Sequence, residues 1–147
     1  MFMNSQQPIT QVVEAVIREV SFHLNVLVVE DSIVLRQRIA EMLSAVPGLT
    51  LVGQTRSVVA GQRMVRELRP NLVILDLQLA DGSGIDILRE TKRTDPSVRF
   101  VIFTNQCEPQ YRQRCLNLGA EYFLCKSTEA RSLIAISETL AAMKDLK

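Results

Sequence analysis

Histidine is nearly missing from this chain: His23 stands alone among 147 residues, and we read it as a packing or solubility residue. Cysteine is scarce as well. Cys107, Cys115 and Cys125 are odd in number and show neither CxxC nor zinc-like spacing, so they read as reduced thiols of a cytoplasmic protein with no disulfide framework. An excess of charge is also lacking. The balance of 17 Lys and Arg against 16 Asp and Glu leaves +1, which supplies no field to recruit nucleic acid or an anionic membrane. The arginines at 63, 66 and 69 and at 112 and 114 have helical spacing and read as solvated faces. No apolar run approaches the ~18 residues of a membrane span, and the opening MFMNSQQPIT lacks the basic residues and apolar core of a signal peptide. Neither export nor a membrane span is expected.

What the chain does have is the length and composition of one globular domain, 47% hydrophobic and 22% charged. Short apolar runs at 25–29, 49–53, 71–75, 98–103 and 121–125 predict five strands. Between them, Ile39, Met42, Leu43 and Val46, then Val59, Met64, Val65 and Leu68, and later Leu133, Ile136, Leu140 and Met143, recur with helical period. Pro47-Gly48, Arg69-Pro70-Asn71 and Gly119 punctuate helix ends, and Pro109 suits a first turn. Strict alternation of strand and helix predicts an open, doubly wound parallel sheet covered on both faces. Its functional crevice should lie at the carboxyl ends of the strands, where the strand order reverses.

That rule draws attention to the stretch LVILDLQLADGSGID, in which an apolar run ends on Asp76. A lone strand-terminal Asp commonly turns the chain or caps a helix. Here the other strands end comparably: Glu30 and Asp31 follow the first, Thr104 the fourth and Lys126 the fifth. Three carboxylates would crowd beside one hydroxyl and one ammonium. Such a group repels unless it takes up protons or holds a cation. Oxygen ligands without nearby His or Cys favour Mg²⁺, which keeps waters and binds one or two carboxylates plus phosphate oxygens. Magnesium-assisted phosphoryl chemistry is the expected use.

The segments VLVVEDS, VILDLQLADGSGIDIL, VIFTN and YFLCKS, taken together, resemble the receiver domain of two-component response regulators, of the kind that precedes helix-turn-helix output domains. The resemblance covers residues 25 to about 145. It implies an α/β, flavodoxin-like sheet of five parallel strands in the order 2-1-3-4-5 with five helices. It implies Asp76 as phosphoacceptor from a sensor histidine kinase or a histidine phosphotransfer protein, with Thr104 and Lys126 contacting the phosphoryl group. Mg²⁺ would be held by Glu30, Asp31, Asp76 and the backbone carbonyl of Gln78, Glu30 acting through metal-bound water. Phe123 matches the switch aromatic that turns inward as Thr104 moves, changing the surface around the fourth helix and fifth strand for a downstream protein target. Gly82, Ser83 and Gly84 match the small residues after the phosphoacceptor strand. They are no dinucleotide fingerprint, because the first strand is followed by Glu30-Asp31-Ser32.

The match departs at Ser127, where relatives carry proline after the lysine. A cis bond there would cost about 2.5 to 4 kcal/mol, so a trans peptide is expected, with Ser127 free to cap the last helix. Ala80 replaces a common loop proline. Gln78 and Gln106, flanking the phosphoryl position, are not carboxylate bases, so self-dephosphorylation should be modest. Residues 1–24 form an extension ahead of the receiver domain at 25–147. Ile9, Val12, Val13, Val16, Ile17 and Val20 share a helical face behind Pro8, which predicts a helix docked on its own domain or on a second copy. The expected activity is that of a signalling receiver that assists only its own phosphorylation, not of an enzyme. Two alternatives stay open: a binding module of the same fold without the phosphorylation cycle, and a phosphohydrolase of the haloacid dehalogenase type, which would want a second carboxylate where Gln78 stands.

Overall fold

The computed structural model describes residues 9–13 and 23–144. Five strands, β1 (Leu24–Val29), β2 (Leu49–Thr55), β3 (Leu72–Leu75), β6 (Arg99–Thr104) and β7 (Tyr122–Cys125), form one sheet in the order β2-β1-β3-β6-β7. All pairings are parallel. Between β3 and β6 a two-residue antiparallel pair, β4 (Gln78–Leu79) with β5 (Gly82–Ser83), decorates the loop. Five helices alternate with the sheet strands: α1 (Ile33–Ser44), α2 (Val58–Leu68), α3 (Ile85–Thr94), α4 (Pro109–Asn117) and α5 (Ala130–Lys144). The predicted doubly wound architecture is therefore present. The β4–β5 hairpin is an addition, since a two-residue pairing leaves no periodicity to read.

Period-2 alternation along the strands sorts the core into two layers. Leu27, Val29, Val73, Leu75, Phe100 and Ile102 face α2, α3 and α4 with Val65, Ile87, Leu88 and Cys115. Val26, Val28, Leu72, Ile74, Val101 and Phe103 face α1 and α5 with Ile39, Leu43, Leu133 and Leu140. Because both faces are covered, the central strands read as continuous apolar runs. Not every periodic residue lies inside: Val59, Leu68 and Met143 are exposed.

The punctuation predicted from sequence stands where expected. Gly48 and Gly119 have positive φ of 81° and 106°, Arg69 closes α2 in the left-handed region at φ 47°, and Pro109 occupies the first turn of α4. No peptide bond among the described residues is cis, Lys126–Ser127 included. Ser127 does not cap the last helix, however. A turn over 126–128 intervenes, α5 begins at Ala130, and the Ser127 hydroxyl donates instead to the Cys125 sulfur at 3.2 Å.

Residues 9–13 are helical, as the extension's periodicity predicts, but Ile9, Val12 and Val13 stay exposed. Docking is thus not seen at these three side chains, and Val16, Ile17 and Val20 lie outside the described residues. Among the described residues, no helix is long and apolar enough to cross a membrane.

Candidate functional site

The strand ladders carry the polar residues to one rim. The Glu30 amide donates to the Thr55 carbonyl, the Asp76 amide to that of Val29 and the Lys126 amide to that of Thr104, each at 2.9 Å. Hydrogen bonding therefore continues one residue past β1, β3 and β7. Glu30, Asp76, Thr104 and Lys126 are held at the carboxyl ends of β1, β3, β6 and β7, at the reversal between β1 and β3. Among the described residues five polar side chains are buried, and three of them, Glu30, Asp76 and Thr104, stand here. Burying carboxylates is unfavourable unless they are paired, so the concentration marks this rim as a site.

Lys126 is the partner. From β7 its ammonium reaches past β6 to donate to Glu30 Oε1 at 2.7 Å and Asp76 Oδ2 at 2.8 Å. The other carboxylate oxygens are held by backbone amides: Glu30 Oε2 accepts from Ser32 at 2.8 Å and Asp76 Oδ1 from Gln78 at 3.2 Å. Burial of the ammonium works to lower the Lys126 pKa, but hydrogen bonds and charge attraction from Asp76 and Glu30 outweigh it, and the net shift is upward. Thr104 is fully buried, and its Oγ1 accepts from the Gln106 amide at 3.1 Å.

Not all of the predicted cluster converges. Asp31 points its exposed carboxylate at Arg56, with Nε 3.5 Å from Oδ1, and no group of three or more acidic, His or Cys side chains among the described residues is close enough to hold a metal. The expected crowding of three carboxylates is therefore corrected to a pair. The physical reason is that carboxylate repulsion is relieved by the chain's own cations, Lys126 for two of the groups and Arg56 for the third. The donors themselves, three carboxylates and a carbonyl, remain an all-oxygen set of the type Mg²⁺ takes.

Gln78 exposes its side chain on the loop after β3, and Gln106 is half-buried after β6. Phe123 is buried, and the Arg112 guanidinium sits 5.0 Å from its ring centroid while pairing with Glu129 at 3.2 Å. Sequence reading put Arg112 on a solvated face, and its Phe123 contact was missed because it joins α4 to β7. Gly84 packs so closely on the end of β3 that a Cβ there would overlap the Asp76 carbonyl oxygen. Asp81, in the hairpin, was not singled out. It accepts from Ser57 Oγ and from the Val58 and Val59 amides, capping α2 from outside that helix.

A second correction concerns the cysteines. Cys107 and Cys125 are joined in a disulfide, and only Cys115, which is buried, is free. Spacing rules failed because the fold, not the sequence interval, brings the β6–α4 loop beside the end of β7.

Known proteins resemble this chain in sequence and fold. The chain is 30% identical over 124 residues to a protein-glutamate methylesterase/protein-glutamine glutaminase of Treponema denticola, across 82% of this chain and 33% of that protein. It is 29% identical over 117 residues to the putative positive transcription regulator BvgA of Bordetella pertussis, across 80% of this chain and 56% of that one. The chain thus spans a third to little over half the length of these curated relatives. The response regulator domain of Thermotoga maritima CheB superposes with a TM-score of 0.73 at 20% identity, over 85% of this chain and 98% of that one. The model of the response regulator receiver domain matches residues 26–138, and the chain belongs to that family.

Proposed function

We propose that the chain is a phosphorylation switch in which Asp76 accepts a phosphoryl group from the phosphohistidine of a sensor kinase or a phosphotransfer protein. The supporting observation is the Lys126 ammonium seated between buried Asp76 and Glu30, with the Thr104 backbone hydrogen-bonded to that of Lys126. An Asp76 carboxylate oxygen forms the new bond to phosphorus as the phosphorus–nitrogen bond to the donor histidine breaks, leaving the electron pair on the ring nitrogen. Lys126 follows the negative charge from the carboxylate onto a phosphoryl oxygen. Thr104 offers its hydroxyl to another. Bound Mg²⁺, held by Asp31, Asp76, the Gln78 carbonyl and, through water, Glu30, would neutralise charge on the phosphoryl oxygens. A downstream protein reads the resulting change around Phe123 and α4.

Incubation with acetyl phosphate and Mg²⁺, read by intact mass, tests this directly. Wild type should gain one phosphoryl group and Asp76→Asn none; an unmodified wild type would overturn the proposal. One observation favours a second reading, a receiver-fold binding module without phosphorylation: the Asp31 carboxylate is already engaged by Arg56 at 3.5 Å. The unmodified outcome is the one that reading requires. A phosphohydrolase reading finds no support, because Gln78 brings no proton carrier.

A further inference from the structure

The Cys107–Cys125 disulfide sits on the moving parts of this switch. Cys107 lies in the β6–α4 loop, three residues after Thr104, and Cys125 ends β7 directly before Lys126. Cys125 is also the ladder partner of Thr104. The bond spans 18 positions and encloses the whole of α4 in a covalent ring, with the site hydroxyl just outside one end and the site ammonium just outside the other. The two Cα atoms are 5.6 Å apart, and a disulfide tolerates separations of only about 4.4–6.8 Å. Displacement of the loop relative to β7 is therefore confined while the bond exists.

We infer that Cys107 and Cys125 are a reversible modification site, oxidised to lock and reduced to release the Thr104–Phe123 rearrangement; this rests on the phosphorylation proposed above. The exchange partner is a low-molecular-weight thiol and its disulfide. In reduction an external thiolate attacks the sulfur of Cys107, the less buried residue of the two, and expels Cys125 as a thiolate beside the Ser127 hydroxyl. A second external thiolate then attacks the sulfur of the first, releasing Cys107 and leaving an external disulfide. The protons of the two external thiols end on the two cysteines. Oxidation is the reverse. Cys115, inside the same ring, is buried, and burial pushes its thiol up to about 11, so it stays out of the exchange.

The test uses the full chain poised in glutathione buffers of graded thiol-to-disulfide ratio, with alkylation and intact mass to count free thiols. Hydrogen exchange over residues 104–118 is then followed with and without beryllofluoride and Mg²⁺, a phosphoryl mimic. The expected result is a graded, reversible passage from one free thiol to three. The exchange response to beryllofluoride should be present in the reduced chain and lost in the oxidised one. Cys107→Ser should respond at every poise, and reduced wild type provides the same comparison without substitution. A disulfide that never forms in these buffers, or equal responses in both redox states, would overturn the inference. If acetyl phosphate fails to modify even the reduced chain, the phosphorylation proposal falls and the lock has nothing to gate, whereas a modified but redox-indifferent chain sinks the lock alone.

Discussion

Lys126 neutralises two carboxylates that are otherwise almost wholly shielded from water, at 2.7 and 2.8 Å. Removing one member of a buried charge cluster is strongly destabilising because it leaves the others uncompensated. Lys126→Ala should lower the unfolding free energy in urea by about 3 kcal/mol when measured in EDTA. Mg²⁺ should restore part of the loss, since a divalent cation can replace the ammonium at the same oxygens. The pH dependence has a defined sign. The folded Lys126 pKa lies above its ordinary 10.5, so its contribution is present below that pH and is lost as pH climbs through the higher folded value. The Cys115 thiol, raised from 9.0 to about 11, contributes stability that is full below 9.0 and lost by about 11. Urea midpoints should thus decline in two overlapping stages on the alkaline side, and Cys115→Ala should flatten the first. At this scale the sequence named Glu30, Asp76, Thr104 and Lys126 correctly as strand-end residues. It did not disclose the pairing of Asp31 with Arg56, because which cation a carboxylate meets depends on where neighbouring loops run.

Among the elements, the hairpin of β4 and β5 ties the site loop to the rest of the fold. Its Asp81 caps α2 through the Val58 amide at 2.7 Å and Ser57 Oγ at 2.9 Å, and the Val58 amide bond above all holds its carboxyl below the usual range. Its end is secured by Gly84, whose amide donates to the Leu77 carbonyl at 2.9 Å. Because the atom a Cβ would strike is the backbone oxygen of Asp76, relief requires moving the end of β3. Gly84→Ala should cost more than about 2 kcal/mol in urea unfolding, above the roughly 1 kcal/mol centre of point substitutions because the clash is with backbone, and should also slow modification of Asp76. A control at Gly53, where a Cβ would meet the ends of Met64 and Leu68, should be milder because those side chains can turn aside. Sequence reading identified the small residues at 82–84 but not the capping role of Asp81, since no local motif links positions 57 and 81.

For the whole molecule, cation binding should report on the site's electrostatics. A ligand that binds only the folded state stabilises it by about 2.7 kcal/mol at a hundredfold excess over Kd, so Mg²⁺ should raise the melting temperature of wild type. Asp31→Asn should abolish most of that rise. Arg56→Ala, which frees Asp31 from its 3.5 Å partner, should enlarge it at equal Mg²⁺. Strand–helix alternation in the sequence by itself determined the layered fold and the rim on which Glu30, Asp76, Thr104 and Lys126 meet, because a parallel sheet leaves all its carboxyl ends on one side. Only the tertiary structure decided the pairing of Asp31 with Arg56, the capping of α2 by Asp81, the stacking of Arg112 on Phe123 and the Cys107–Cys125 bond. Each of these joins side chains from different loops or elements, and their meeting is set by how helices and loops pack over the sheet, which no local pattern encodes.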